Sequence, residues 1–184
     1  LDFDCEVVVI ELNINADDLR QVPHFLGLQK RDIERAMLRA INKTARWLRT
    51  RIAREVATEL NVKVGLARNS LQLKMASRHG LHASVGLNPK ASRIKAVSLG
   101  RPKQTKVGVR VGRHSFRGAF IATMPSGHTG VFRRKGKARL PIREMHVSLS
   151  ASMADAMESI TDQGGMAYLQ KTFEHELHFI GAKQ

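Results

Sequence analysis

Acidic side chains are missing from the middle of this chain. Between Leu60 and Arg143, 84 consecutive residues, there is no Asp or Glu, although 19 Lys or Arg fall in the same stretch. Ordinary surfaces intersperse both signs, because like charges repel one another and cost compactness. The absence therefore excludes a surface balanced within itself and implies an anionic counterpart. Cysteine is also scarce. Cys5 alone excludes an internal disulfide and a cysteine-based zinc site, and fits a reducing compartment. Aromatic residues make up 5%, with one Trp and one Tyr, too few stacking platforms for base-by-base reading of RNA. No apolar run reaches the roughly 18 residues that a bilayer crossing needs, and no basic-then-apolar signal pattern opens the chain. A protein without membrane segments or export signal is expected.

What is present is a length of 184 residues with 42% hydrophobic content, enough for a sizeable core and too regular in pattern for disorder. One domain over residues 1–184 is expected, in four parts: a strand and extension (1–30), a long helix (31–60), a basic β region (61–143) and C-terminal helices (144–184). Charge follows the same division. Residues 1–30 carry two cations and six acids, 31–143 carry 27 and four, and 144–184 carry two and six. A net +23 centre between two −4 ends points to nucleic acid or to acidic surfaces of neighbouring subunits.

Cys5 to Leu12 reads as a strand from its β-branched run, and a short helical turn is expected between Asn13 and Lys30. Asp32 to Leu60 is a long amphipathic helix: Ile33, Met37, Ile41, Thr44, Leu48, Ile52, Val56 and Leu60 recur every three or four residues and line one stripe. The period then changes to two. Leu71, Leu73 and Met75, then Leu81, Ala83, Val85 and Leu87, flank the turn Ser77 to Gly80 as a hairpin. Val107, Val109 and Val111 make a further strand after the basic connector Arg101 to Lys106. Phe116 to Met124 and His128 to Arg134 flank Pro125-Ser126-Gly127 as a second hairpin. Ser148 to Ile160 reads as a helix ended before Gly164-Gly165. A last helix carries Met166, Leu169, Phe173, Leu177 and Ile180 on one stripe and leaves Gln170, Lys171, Glu174 and His178 for solvent. The class expected is α+β, a mainly antiparallel sheet from residues 70–134 packed against the long helix, with helices at the C-terminus.

Enzyme chemistry finds little footing. Acid–base work by paired carboxylates needs two acids in one cleft, and the β region has none. Cys5 has no activating neighbour and reads as a structural thiol. His175 and His178 lie three apart rather than at the i, i+4 spacing of a metalloprotease helix, with no third ligand, so a solvated helix face is favoured. Gly130 to Ala138 has five residues between its glycines and lacks the hydroxyl of a phosphate loop. No catalytic residue, cofactor or metal is expected. The basic features are stronger. Phe132 to Arg143 holds Arg133, Arg134, Lys135, Lys137, Arg139 and Arg143 around Gly136, and is expected to be exposed and poorly ordered in an isolated subunit. Arg35, Arg39, Arg46 and Arg49 share a face of the long helix, and Arg39, Arg46 and Arg49 have no Glu at i±3 or i±4 to pair with. These ten cations are the candidate contacts to DNA or to a partner. Solvated surface is the competing reading, and a sequence-independent nucleic-acid binder of the bacterial cytosol is the alternative function.

Arg39-Ala40-Ile41-Asn42-Lys43-Thr44-Ala45-Arg46-Trp47-Leu48-Arg49-Thr50 resembles the opening of the minor tail protein Z family of long-tailed phages and prophages. Gly118 to Ala122, Ser126 to Arg134 and Arg139 to Glu144 follow in that family's order, whereas the first 30 residues carry no matching motif. The resemblance implies a non-enzymatic structural protein of tail completion or head–tail joining, a subunit of a homo-oligomeric ring around the DNA channel. It further implies other tail or connector proteins as partners and a place in the virion tail or, during assembly, in the host cytoplasm; non-specific DNA contact and no membrane are expected from the cations, the few aromatics and the lack of a long apolar run.

Overall fold

The computed structural model describes residues 9–13, 29–160 and 164–182, the first of these as backbone. Cys5 and the turn expected between Asn13 and Lys30 lie outside the described residues. Helix α1 (Lys30–Glu59) spans about 45 Å at 1.5 Å per residue. Its stripe is buried from Ile33 to Val56, with Ile41, Thr44, Leu48, Ile52 and Val56 at 0% exposure. Ala36, Ala40, Ala45 and Ala53, also at 0%, widen that stripe with side chains short enough to let neighbours approach the helix closely.

Three layers cover α1. On one side lie α2 (Val64–Asn69) and an antiparallel sheet in which β3 (His82–Leu87) runs between β1 (Val9–Asn13) and β2 (Leu71–Lys74). The expected β2–β3 hairpin is present, with Leu71 opposite Leu87 and Leu73 opposite Val85, closed by a bridge between Ser77 and Gly80; Met75, read on its stripe, lies beyond β2 and is 39% exposed. Ser84 and Gly86, the alternate positions of β3, are buried as well. Asn42 of α1 fixes this sheet to the helix: its amide donates to the Ala76 carbonyl at 3.1 Å and accepts from the Ala76 N–H at 2.8 Å. The other covers are α3 (Ser150–Ile160) and α4 (Met166–Gly181). Contacts along α4 run opposite to those along α1. Leu177 meets Ile33 and Ala36, Glu176 meets Arg39 and Lys43, and Tyr168 stacks on Trp47 at 4.5 Å, so the two helices are antiparallel. Met166, placed on the α4 stripe by its spacing, is 68% exposed at the first turn.

The single sheet expected over 70–134 is four small ones. β4 (Arg93–Lys95) pairs with β11 (His146–Ser148). β5 (Lys103–Gln104), β6 (Gly108–Val111) and β7 (His114–Arg117) form a second meander, and β8 (Ala119–Thr123), β9 (Thr129–Arg134) and β10 (Ile142–Glu144) a third. The expected strand Phe116 to Met124 breaks at Gly118, whose φ of +67° suits a residue without Cβ and lets the chain leave one sheet for another. The basic connector contains β5, and Val107 sits at 63% exposure in the turn before β6. Gly108 is needed for a different reason, since a Cβ there would lie 2.1 Å from the Phe116 carbonyl oxygen across the ladder.

These two meanders enclose a smaller apolar cluster of Ala96, Val109, Val111, Phe116, Ala119 and Val131. Leu99 packs against both this cluster and the α1 core, and His114 Nε2 donates to the Leu60 carbonyl at 2.7 Å at the end of α1. The α+β class thus stands, with helices covering more of α1 than the sheet does. Among the described residues no helix is long and apolar enough to cross a membrane.

Truncating Ile41 or Leu48 to Ala should cost about 2–5 kcal/mol in chemical denaturation. A loss under about 0.5 kcal/mol, the range of surface substitutions, would contradict burial of the stripe. Gly108→Ala should also lower the melting temperature, and an unchanged midpoint would show that the β6–β7 ladder does not pack so closely.

Candidate partner surface

The cations on α1 meet different fates. Arg35, 61% exposed, reaches Asp32 at 3.3 Å one turn back. Arg39 lies 3.5 Å from Glu176, and Lys43 donates to the same carboxylate, so the partner absent from the helix itself comes from α4. Arg46 is exposed and has no ion pair among the described residues. Arg49 turns inward: its Nη2 donates to the Arg68 carbonyl at 3.0 Å and its Nε is buried without a hydrogen bond. Burial, then the like charge of Arg68, pushes its pKa below the ordinary guanidinium value. Arg51 lies over the Trp47 ring at 5.5 Å, where the ring quadrupole attracts a cation.

The second group lies on β9 and β10, over the smaller apolar cluster, and does not merge with the first into one site. Phe132 to Arg143 is not a loose loop throughout. Phe132 is buried at 6% exposure, residues up to Arg133 pair with β8, Arg134 pairs with Ile142 of β10, and the Lys135 N–H donates to the Pro141 carbonyl at 3.0 Å. Exposed chain is confined to residues 134–141 and Arg143. Pairing places Arg133 directly opposite Arg143, a like-charge cross-strand pair, which is destabilising in isolation. Arg134 lies over Phe120 at 5.8 Å, while Lys135, Lys137 and Arg139 project from the tip with no acid beside them among the described residues.

Two acids answer this field. Glu144, at the end of the acid-free stretch, accepts from His128 Nε2 at 2.8 Å and lies 3.3 Å from the Lys95 ammonium. Burial raises its pKa, but the hydrogen bonds from His128 and Lys95 and their charge offset this, leaving it below the ordinary carboxylate value. Glu176, 3% exposed, behaves alike: burial raises its pKa, and Lys43 and then Arg39 bring it below that value. Glu176 separates His175 from His178, both exposed, and faces away from them toward α1.

A model of the prophage minor tail protein Z family matches residues 20–180. The chain belongs to that family. No curated protein and no solved structure matches it. As a phage minor tail protein, it is built for contact with other tail proteins, and the arrangement above is suited to holding anions by charge and hydrogen bonding. Among the described residues there is no group of three or more His, Cys, Asp or Glu that could hold a metal.

Sequence reasoning missed Glu176 as a partner of the helix cations, although the signal was present: Glu176 lies three residues after Phe173 and seven after Leu169, on the inward stripe of α4. Lys95, brought to Glu144 by the unforeseen β4–β11 pair, had no comparable signal.

Glu176→Gln should destabilise the protein by about 1–2 kcal/mol at neutral pH, toward the low end for charged hydrogen bonds because Arg39 and Lys43 are half exposed. Because the folded carboxyl titrates below its unfolded value, near 4.3, its contribution is present above that value and is lost as pH falls through the folded pKa. Melting temperatures of the wild type and variant should therefore converge in acid. A gap that stays constant from pH 7 to pH 3 would show that the carboxylate charge is not what matters.

Proposed function

We propose that this minor tail protein acts in tail completion or head–tail joining, as a non-enzymatic subunit of a homo-oligomeric ring close to the DNA channel of the virion tail. The observation that carries the reading is the charge layout within a family of tail proteins. Residues 31–143 carry net +23 and are flanked by two segments of net −4. In a closed ring each subunit meets a neighbour through unlike patches, and acidic segments can meet basic ones while the remaining cations face DNA or an acidic surface of the tail. On this reading Arg133, Arg134, Lys135, Lys137, Arg139 and Arg143 are the outward contacts, joined by Arg46, which has no acid paired to it among the described residues. Arg35, Arg39 and Arg49, held by Asp32, Glu176 and the Arg68 carbonyl, serve the fold first. The chain works as one unit from the long helix to the C-terminal helices and is assembled into tails in the host cytoplasm.

Light scattering on size-fractionated protein should find a larger, discrete oligomer as concentration rises, without nucleic acid. A monomer at every concentration contradicts the ring. Neutralising Arg133, Arg134, Lys135 and Lys137 together should leave the melting temperature nearly unchanged, since surface substitutions usually cost less than about 0.5 kcal/mol each and the half-buried Arg133 faces a like charge in Arg143, and should abolish infectivity of particles carrying the variant. Normal titre would reduce the hairpin to a solvated face.

A further inference from the structure

Beside the basic hairpin lies a cleft of about 570 Å³. One wall is the turn from Gln104 to Gly108 between β5 and β6, the other is β9 with the start of its hairpin tip, and Gly118 and Gly136 leave open positions between them, where an added Cβ would meet nothing within 4 Å. Four cations line it, Lys106, Arg133, Arg134 and Lys137, and every lining residue falls within the acid-free stretch. Lys106 belongs to the connector, outside both cation groups read from sequence. The fold alone brings it to the hairpin.

The cleft is held in shape before any ligand arrives. Gln104 joins its walls: its amide donates to the Gly108 carbonyl at 3.0 Å and the Ala119 carbonyl at 3.3 Å, and its oxygen accepts from the Ile121 N–H at 3.2 Å. Arg134 is steadied over the Phe120 ring. Each sheet that forms a wall also carries a like-charge cross-strand pair, Lys103 opposite Arg110 and Arg133 opposite Arg143. Such pairs are unfavourable unless an anion relieves them. Two in adjoining sheets, whose one acid, Glu144 of β10, is already held by His128 and Lys95, favour a ligand of repeated negative charge over a single ion. Protein interfaces place aromatic or aliphatic anchors at a centre depleted of charge. Here the centre is charged and its one large apolar ring is already covered by Arg134.

We propose that this cleft binds the phosphodiester backbone of double-stranded DNA, without reading bases, through Lys106, Arg133, Arg134 and Lys137. The proposal rests on the reading of the protein as a tail subunit near the DNA channel and assigns the site of contact. Phosphate contacts position a protein on DNA without sequence preference, which suits a subunit that meets whatever sequence the channel holds.

The test is fluorescence anisotropy of the full chain with a mixed-sequence DNA duplex across salt concentrations. The double variant Lys106→Gln with Lys137→Gln is compared with Lys63→Gln with Lys90→Gln, which removes the same charge from exposed positions outside the cleft. Each lost phosphate contact should reduce the salt slope by about 0.9, which is about eightfold in affinity at 0.1 M salt, so the cleft variant should lose about 1.8 in slope and the control nearly nothing. Equal loss in both doubles, or none in the cleft double, overturns the proposal. So does equal, cleft-dependent binding of poly-L-glutamate, which makes an acidic protein the occupant. Rings that form from wild-type protein lacking cleft-dependent DNA affinity overturn the cleft and leave the tail reading standing. DNA affinity through the cleft in a protein that never oligomerises supports the cleft and overturns the ring.

Discussion

Everything described here hangs on the burial of one long helical stripe. A helix of 30 residues is stable in a protein only when its apolar face is covered, and α1 is covered along its length by elements from both ends of the sequence. α4 runs back along it, α3 and the β1–β3–β2 sheet close its remaining sides, and Asn42 ties the sheet edge at Ala76 to the helix. Because the stripe is rich in Ala, covering elements approach closely enough for Trp47 and Tyr168 to stack and for Glu176 to reach two cations. The small β sheets depend on the same helix at one remove, through Leu99 and through the hydrogen bond from His114 to its last turn.

Charge is arranged against that frame. Acids that do meet the basic middle are few and already engaged: Glu176 with Arg39 and Lys43, Glu144 with His128 and Lys95. Each neutralises locally and leaves the hairpin tip and the neighbouring cleft with no acid beside them among the described residues. A net positive field of this kind steers and holds anions over a range set by salt. The family to which the chain belongs places it among other tail proteins.

How much of this was legible in the sequence depends on how local the cause was. The stripe of α1 was plain because its period is carried by consecutive turns, and the β2–β3 hairpin followed from alternation around Ser77 to Gly80. The last helix was also readable, apart from Met166, whose place on the stripe is undone by its position in the first exposed turn. Long-range pairing was not. β4 and β11 are three residues each and join segments about fifty positions apart, and neither carries a run that two-residue periodicity can find. The break of one expected strand at Gly118 depends on a positive φ that the sequence permits but does not demand. Of the candidate site, the residue types and the acid-free boundary were visible in advance. Which cations are held internally and which remain outward emerged only with the packing of α4 on α1 and of β10 on β9, and Lys106 joined the hairpin only once β5 and β6 were folded against β8.

The central claim is that the basic surface is turned toward a partner in the assembled tail rather than toward solvent. Lysine acetylation footprinting of intact tails against the isolated subunit, read by mass spectrometry, tests it most directly. Lys106, Lys135 and Lys137 should react in the isolated protein and be shielded in tails, while Lys63 and Lys90 react in both. Equal reactivity of all five lysines in tails and in the free subunit would contradict the account.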